Sequence, residues 1–148
     1  MSVDEELGKN EKILQVTEPH QLSYIGQYFS VVLIGLFFLG LFSALFGIVI
    51  MLLGTLLVEL VRRNNKYYVT NKRIIHDFTF YFLMRKMSNA FYDKLQDLHL
   101  TQGLIERLFD LGTLSFNTAG SHVIEIKFKG IKNPTFTKKL IEEHLRKS

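Results

Sequence analysis

Residues 25–60 read IGQYFSVVLIGLFFLGLFSALFGIVIMLLGTLLVEL, and their reading decides the architecture. The stretch holds no Lys, Arg or Asp, and its one charged residue, Glu59, is next to last. As one straight helix its 36 residues would extend about 54 Å. The hydrocarbon core of a bilayer is only about 30 Å thick. A single tilted helix would have to absorb an excess on the order of 15 residues, more than hydrophobic mismatch ordinarily accommodates. Two shorter spans folded as a hairpin fit the length. Gly40-Leu41-Phe42-Ser43 concentrates helix-weakening residues, so the turn is expected near 40–43 within a hairpin over 22–62. Tyr24 and Tyr28 stand where aromatic side chains meet headgroups. Ala44, Gly47 and Gly54 fall near one helical face, where small residues let membrane helices approach closely; glycine is also simply frequent in such helices.

The flanks differ in charge. Residues 1–20 carry five carboxylates against Lys9 and Lys12, whereas residues 62–148 carry sixteen Lys and Arg against eight Asp and Glu. The net charge of +4 therefore belongs to the chain beyond the apolar run. Arg62, Arg63 and Lys66 come directly after that run, and the expected turn has no charge. The positive-inside rule then puts both termini on the cytoplasmic side of a multi-pass protein of the cell membrane. The acidic start lacks the basic region and cleavage site of a signal peptide. Within this arm, 1–21, the segment Glu11–Val16 reads as an edge strand, an interfacial turn or a disordered tail. The absence of cysteine excludes disulfide staples and Cys-ligated metals.

Beyond Asn64-Asn65 the period changes. Lys66–Thr70 and Arg73–Phe80 read as two strands joined by a tight turn at Asn71-Lys72. Tyr81–Tyr92 reads as a third, bent at Ser88-Asn89, and a fourth begins near Gln96. Gly103–Asp110 has the spacing of one or two helical turns. Thr113–Thr118 and His122–Lys129 read as further strands, with Ala119-Gly120-Ser121 between them. In the latter, Val123, Ile124, Ile126 and Phe128 stand against Glu125, Lys127 and Lys129 with a period of two from Ile124 onward, so one face is buried and one wet. Asn133 is an N-cap candidate before Pro134 at the first helical position. Phe136, Leu140, Ile141 and Leu145 then form one stripe of a terminal amphipathic helix. The expected fold class is α+β: a transmembrane hairpin followed, over 63–148, by a small curved sheet or partly open barrel capped by that helix.

This layout resembles the prokaryotic pleckstrin-homology-like (bacterial PH, YdbS-like) family of membrane proteins. Tyr68-Val69-Thr70-Asn71-Lys72-Arg73-Ile74-Ile75 is similar to that family's opening after its hairpin. Leu95-Gln96-Asp97-Leu98, the element Arg107–Leu114 and Ile131-Lys132-Asn133-Pro134 resemble its later motifs, in the same order. The resemblance implies a split sheet or barrel with a C-terminal helix, and it implies no particular ligand.

Catalytic signatures are missing. There is no Gly-rich phosphate loop, no nucleophile elbow and no i,i+4 pair among His20, His76, His99, His122 and His144. Asp93, Asp97, Glu106 and Asp110 are spaced as loop and helix-surface carboxylates. An enzyme, a cofactor, a metal and a nucleic-acid partner are not expected. The constellation that remains is basic: Arg62, Arg63 and Lys66 at the hairpin exit, Lys72 and Arg73 at the first strand turn, Arg85 and Lys86 in the third strand. Near an anionic leaflet each such cation contributes about 1 kcal/mol. These residues are the candidate contacts to anionic lipid headgroups, with topology alone as the plainer reading. Arg73, beside Ile74 and Ile75, also fits a structural arginine that packs its stem and pairs with a carboxylate. Tyr81-Phe82-Leu83, beside Phe78 and Phe80, reads as core plus hairpin tip, or as a loop that dips into the bilayer or docks a partner. The alternative to lipid contact is a surface for a homo-oligomer or a membrane protein partner.

Overall fold

The computed structural model describes residues 7–80, 84–118 and 126–146. The arm supplies β1 (Ile13–Thr17), and a 3-10 turn over Gln21–Tyr24 leads into α1 (Ile25–Leu41) and α2 (Ala44–Arg63). Then come β2 (Asn65–Thr70), β3 (Arg73–Phe80), β4 (Met84–Phe91), β5 (Leu95–Thr101), the short α3 (Leu104–Leu108), β6 (Leu111–Thr118), β7 (Ile126–Lys132) and α4 (Pro134–Leu145).

Helix α2, and α1 together with the 3-10 turn before it (Gln21–Leu41), are long and apolar enough to cross a membrane. Ser43 separates them because its backbone is extended and its hydroxyl accepts the Phe46 N–H at 3.3 Å, an N-cap for α2. Backbone proximity, which only glycine allows, then fixes their packing. A Cβ at Gly47 would lie 2.6 Å from Leu39 Cβ and 2.8 Å from the Gly35 carbonyl oxygen, and one at Gly54 would lie 2.6 Å from Val31 Cγ1. The glycine face of α2 is therefore its α1-facing side, and α1 answers with Gly35, which lies against Met51. Ala44, expected on that face, is exposed.

Strands β1-β2-β3-β4 form one antiparallel sheet and β5-β6-β7 a second. Among the described residues no ladder joins the two, so the expected barrel is not closed; the split-sheet form is the one adopted. The reason is at β2, whose second edge is covered by β1 from the arm, leaving the sheets to stack through their faces. Tyr67 stacks on Phe128 with centroids 4.7 Å apart, and Phe116 meets Phe128 edge-on at 5.0 Å. Val69, Ile74, Leu114, Ile126 and Ile131 complete a core that α4 closes with Ile141.

Several local expectations change. Strand β4 runs through Ser88 and Asn89 without a bend, because both stay in register with His76 and Ile75. Strand β6 starts two residues early, at Leu111, after Asp110 turns the chain with a left-handed φ of 51°. Asn133 precedes α4 but makes no side-chain cap; it is left-handed (φ 50°), and its N–H donates to the Asp110 carbonyl at 3.0 Å. The buried stripe of α4 is Pro134, Thr137 and Ile141, flanked by Leu140 and Leu145, while Phe136 points outward. The expected tip at Tyr81-Phe82-Leu83 and the turn at Ala119-Gly120-Ser121 lie outside the described residues.

Candidate functional site

The last turn of α2 places Arg62 and Arg63 three and four residues beyond Glu59, the spacing at which helical side chains meet. Glu59 accepts from Arg62 Nη2 at 2.7 Å and Arg63 Nε at 2.6 Å through Oε1, and from Arg62 Nε at 2.9 Å and the Tyr28 hydroxyl at 2.7 Å through Oε2. Arg62 Nη1 also donates to the Pro19 carbonyl at 2.8 Å. One carboxylate thus ties α1 to α2, and Arg62 ties both to the arm that becomes β1. The Arg62 side chain is 12% exposed, that of Arg63 68%. Two guanidiniums share one carboxylate, so the cluster keeps a net positive charge, and Arg63 carries it to the surface. Beside it, Leu22, Ile25, Leu52 and Leu56 wall an open cleft of about 730 Å³ that ends at Tyr28 and Glu59.

Only Asn64 separates α2 from β2. Its N–H continues the helix to the Leu60 carbonyl at 3.1 Å, while its carbonyl accepts the Thr79 N–H at 3.2 Å. Asn65 donates to the Val61 carbonyl at 2.7 Å, and its Oδ1 lies 3.0 Å from His76 Nε2. Burial holds the His76 imidazole below its ordinary value, so the ring sits neutral beside Tyr67. Lys66 lies 4.0 Å from Glu18 with both side chains half-exposed.

Register separates the remaining cations. Lys86 pairs across the sheet with Phe78, which pairs with Asn65, so Lys86 and its neighbour Arg85 belong to the exit end. Lys86 is exposed, and Arg85 Nε lies 3.3 Å from Asp77. Lys72 and Arg73 follow Thr70 at the other end of β2, five strand steps from Asn65. At about 3.3 Å per step that is roughly 17 Å away. There Lys72 Nζ donates to the Lys9 carbonyl at 2.9 Å, and Arg73 Nε meets Glu11 at 2.9 Å. Thr70 Oγ1 (2.8 Å) and the Gly8 N–H (2.9 Å) also donate to Glu11, whose side chain is 2% exposed. Burial would raise this carboxyl, but the bonds from Arg73, Gly8 and Thr70 outweigh it and hold it below the usual range. The expectation that Arg73 packs and pairs with a carboxylate is met in full.

The structure therefore brings Arg62, Arg63, Lys66, Arg85 and Lys86 to one end of the sheet, and sends Lys72 and Arg73 to the other. It adds two groups that the basic pairs did not point to. Lys129 Nζ lies 5.4 Å from the centroid of the Tyr24 ring. On α3, Leu104 is 87% and Leu108 82% exposed. The alternation in β7 marks Lys127 and Lys129 as wet, but which strand lies beside the hairpin is a tertiary fact.

Residues 28–147 match the model of a family described as Bacterial PH domain. Among solved structures, a DUF1696 family protein with a pleckstrin-homology domain from Shewanella loihica PV-4 is similar, with a TM-score of 0.51. The alignment covers 97% of this chain and 89% of that one at 10% identity, a likeness of fold. No curated protein matches.

Proposed function

Since this chain belongs to the bacterial PH domain family, we propose that it is a membrane-anchored, non-catalytic PH-like protein whose hairpin holds the domain against the cytoplasmic leaflet, where its basic end contacts anionic lipid. The observation that carries the reading is the outward surface of α1 and α2. Phe29, Phe37, Leu45, Leu52 and Leu56 are exposed on it, beside many more apolar side chains. An apolar surface of that extent is far beyond what a soluble monomer exposes, and a bilayer is the solvent that covers it. The single-residue link at Asn64 then keeps the domain close to the membrane. Arg63, Lys66 and Lys86 are the cations available at that end, whereas Arg62 serves as a strut. Lys72 and Arg73 hold the arm and leave the set of headgroup contacts.

The chain has no cysteine, so single introduced cysteines report topology without ambiguity. Lys9→Cys and Lys139→Cys should resist an impermeant maleimide in intact cells, and Ser43→Cys should react with it. Equal protection of all three would contradict a spanning hairpin.

A second reading, an assembly surface for another membrane protein or a second copy, is favoured by a separate observation: the apolar side of α3, with Leu104 and Leu108 almost wholly in solvent. Crosslinking from Leu108→Cys in membranes should capture a defined product, and a strictly monomeric, partnerless outcome would remove that reading.

A further inference from the structure

Strand β7 pairs with β6 alone, so its other edge meets no strand among the described residues. That edge lies on the base of the hairpin. The Gly130 carbonyl accepts the His20 N–H at 2.9 Å and the Ser23 hydroxyl at 3.4 Å. Gly130 has φ +60°, and a Cβ there would collide with Ser23, so both the left-handed backbone and the close approach require glycine.

The register around Gly130 carries the inference. Leu114 pairs with Phe128 and Gly112 with Ile131, so two steps along β6 match three along β7. This is a β-bulge, and a bulge resets the alternation of the strand. Phe128 and Ile131 both point into the core although an odd number of steps separates them. Lys129 and Lys132, which strict period two would send to opposite faces, are therefore both exposed on the outer one, beside exposed Lys127. Ser115 stands opposite Lys127 across the ladder. Lys129 rests over Tyr24, the residue immediately before α1, and tyrosines at such helix ends sit at headgroup depth.

We propose that the outer face of β7 is a phosphate-contacting rail for the anionic phospholipids of the leaflet that the hairpin enters, with Lys129 and Lys132 as its principal cations. The inference rests on the membrane reading above and assigns it a surface that the basic pairs of the sequence do not include. Tyr24 and the Gly130 bulge set the height and the facing of the rail. The phosphates supply the opposite charge, and salt screens the contact as it screens any exposed pairing.

The test uses the full chain in nanodiscs, with a fluorophore on Ser115→Cys and headgroup-nitroxide lipid as quencher. Quenching should be stronger in phosphatidylglycerol-containing discs than in phosphatidylcholine discs. Lys129→Gln with Lys132→Gln should weaken the docking equilibrium about fivefold per lysine. Lys129→Arg should retain it, and Lys139→Gln on α4 should leave it unchanged. Quenching that ignores both anionic lipid and the double variant overturns the rail while the anchor stands. The rail is overturned in the same way if only a triple glutamine variant at Arg63, Lys66 and Lys86 abolishes the anionic dependence. A chain that does not enter nanodiscs overturns the membrane reading and the rail together.

Discussion

The two ends of β2 carry the same chemistry, an arginine against a glutamate, with opposite consequences. At the hairpin exit one carboxylate serves Arg62 and Arg63, and the surplus positive charge reaches solvent on Arg63. At the far end the Glu11 carboxylate serves Arg73, both groups are largely buried, and that pair is neutral in itself. Adjacent basic residues in a sequence are thus not equivalent, because what decides their role is the number of carboxylates that fold against them. The far pair joins the arm to the sheet, while the exit cluster both joins the helices and presents charge.

The far end should respond most strongly to loss of its acid. Glu11→Ala takes the carboxylate away from the largely buried Arg73 guanidinium, from Thr70 and from the Gly8 N–H, and breaking a buried pair costs about 3–5 kcal/mol. Chemical unfolding of the full chain in detergent should show that loss, and adding Arg73→Met should recover much of it. A Glu11→Ala protein as stable as the parent would mean that the pair is incidental.

Acid probes the same pair more gently. The folded-state carboxyl of Glu11 is depressed, so its contribution is complete above the ordinary value of 4.5 and is lost as pH falls through the lower folded value. The imidazole of His76 is also depressed, by burial, so its contribution begins to fall below pH 6.5. Stability followed by thermal unfolding should decline in two stages, and Glu11→Gln should flatten only the one below pH 4.5. An unchanged acid branch in that variant would show that Glu11 does not set it.

At the exit, Glu59→Gln keeps the shape but not the charge that Tyr28, Arg62 and Arg63 share. A loss of about 1.5–3 kcal/mol is expected for hydrogen bonds to a charged group. It should appear as faster amide exchange around His20, because Arg62 loses the partner that aims it at the Pro19 carbonyl. Arg63→Gln is the mildest change, since an exposed pair contributes about 0–1 kcal/mol. Stability should hold while docking to anionic lipid weakens by about fivefold; the reverse pattern would show that Arg63 is structural.

Much of the fold is legible in the residues. The change of period after Asn64 places β2 and β3, because alternate side chains there enter the core. The partnership of Arg73 with some carboxylate follows from its apolar neighbours, but Glu11 lies 62 residues away, and no local pattern selects it. The arm is ambiguous for a related reason: Ile13–Thr17 is too short to announce a strand, and it becomes one by covering the free edge of β2. That same pairing leaves the sheets stacked and the barrel open. Lys129 and Lys132 escape notice because strict alternation separates them, and only the bulge at Gly130 returns them to one face.

The central claim is that the exit end of the sheet meets lipid and the far end does not. Nitroxides on Lys86→Cys and Lys72→Cys in the reconstituted full chain measure this by their relative collision with membrane-soluble oxygen and a water-soluble nickel chelate. The label at 86 should be shielded from the chelate in anionic bilayers, and the label at 72 should remain fully open to it. Equal access at both positions would contradict the claim.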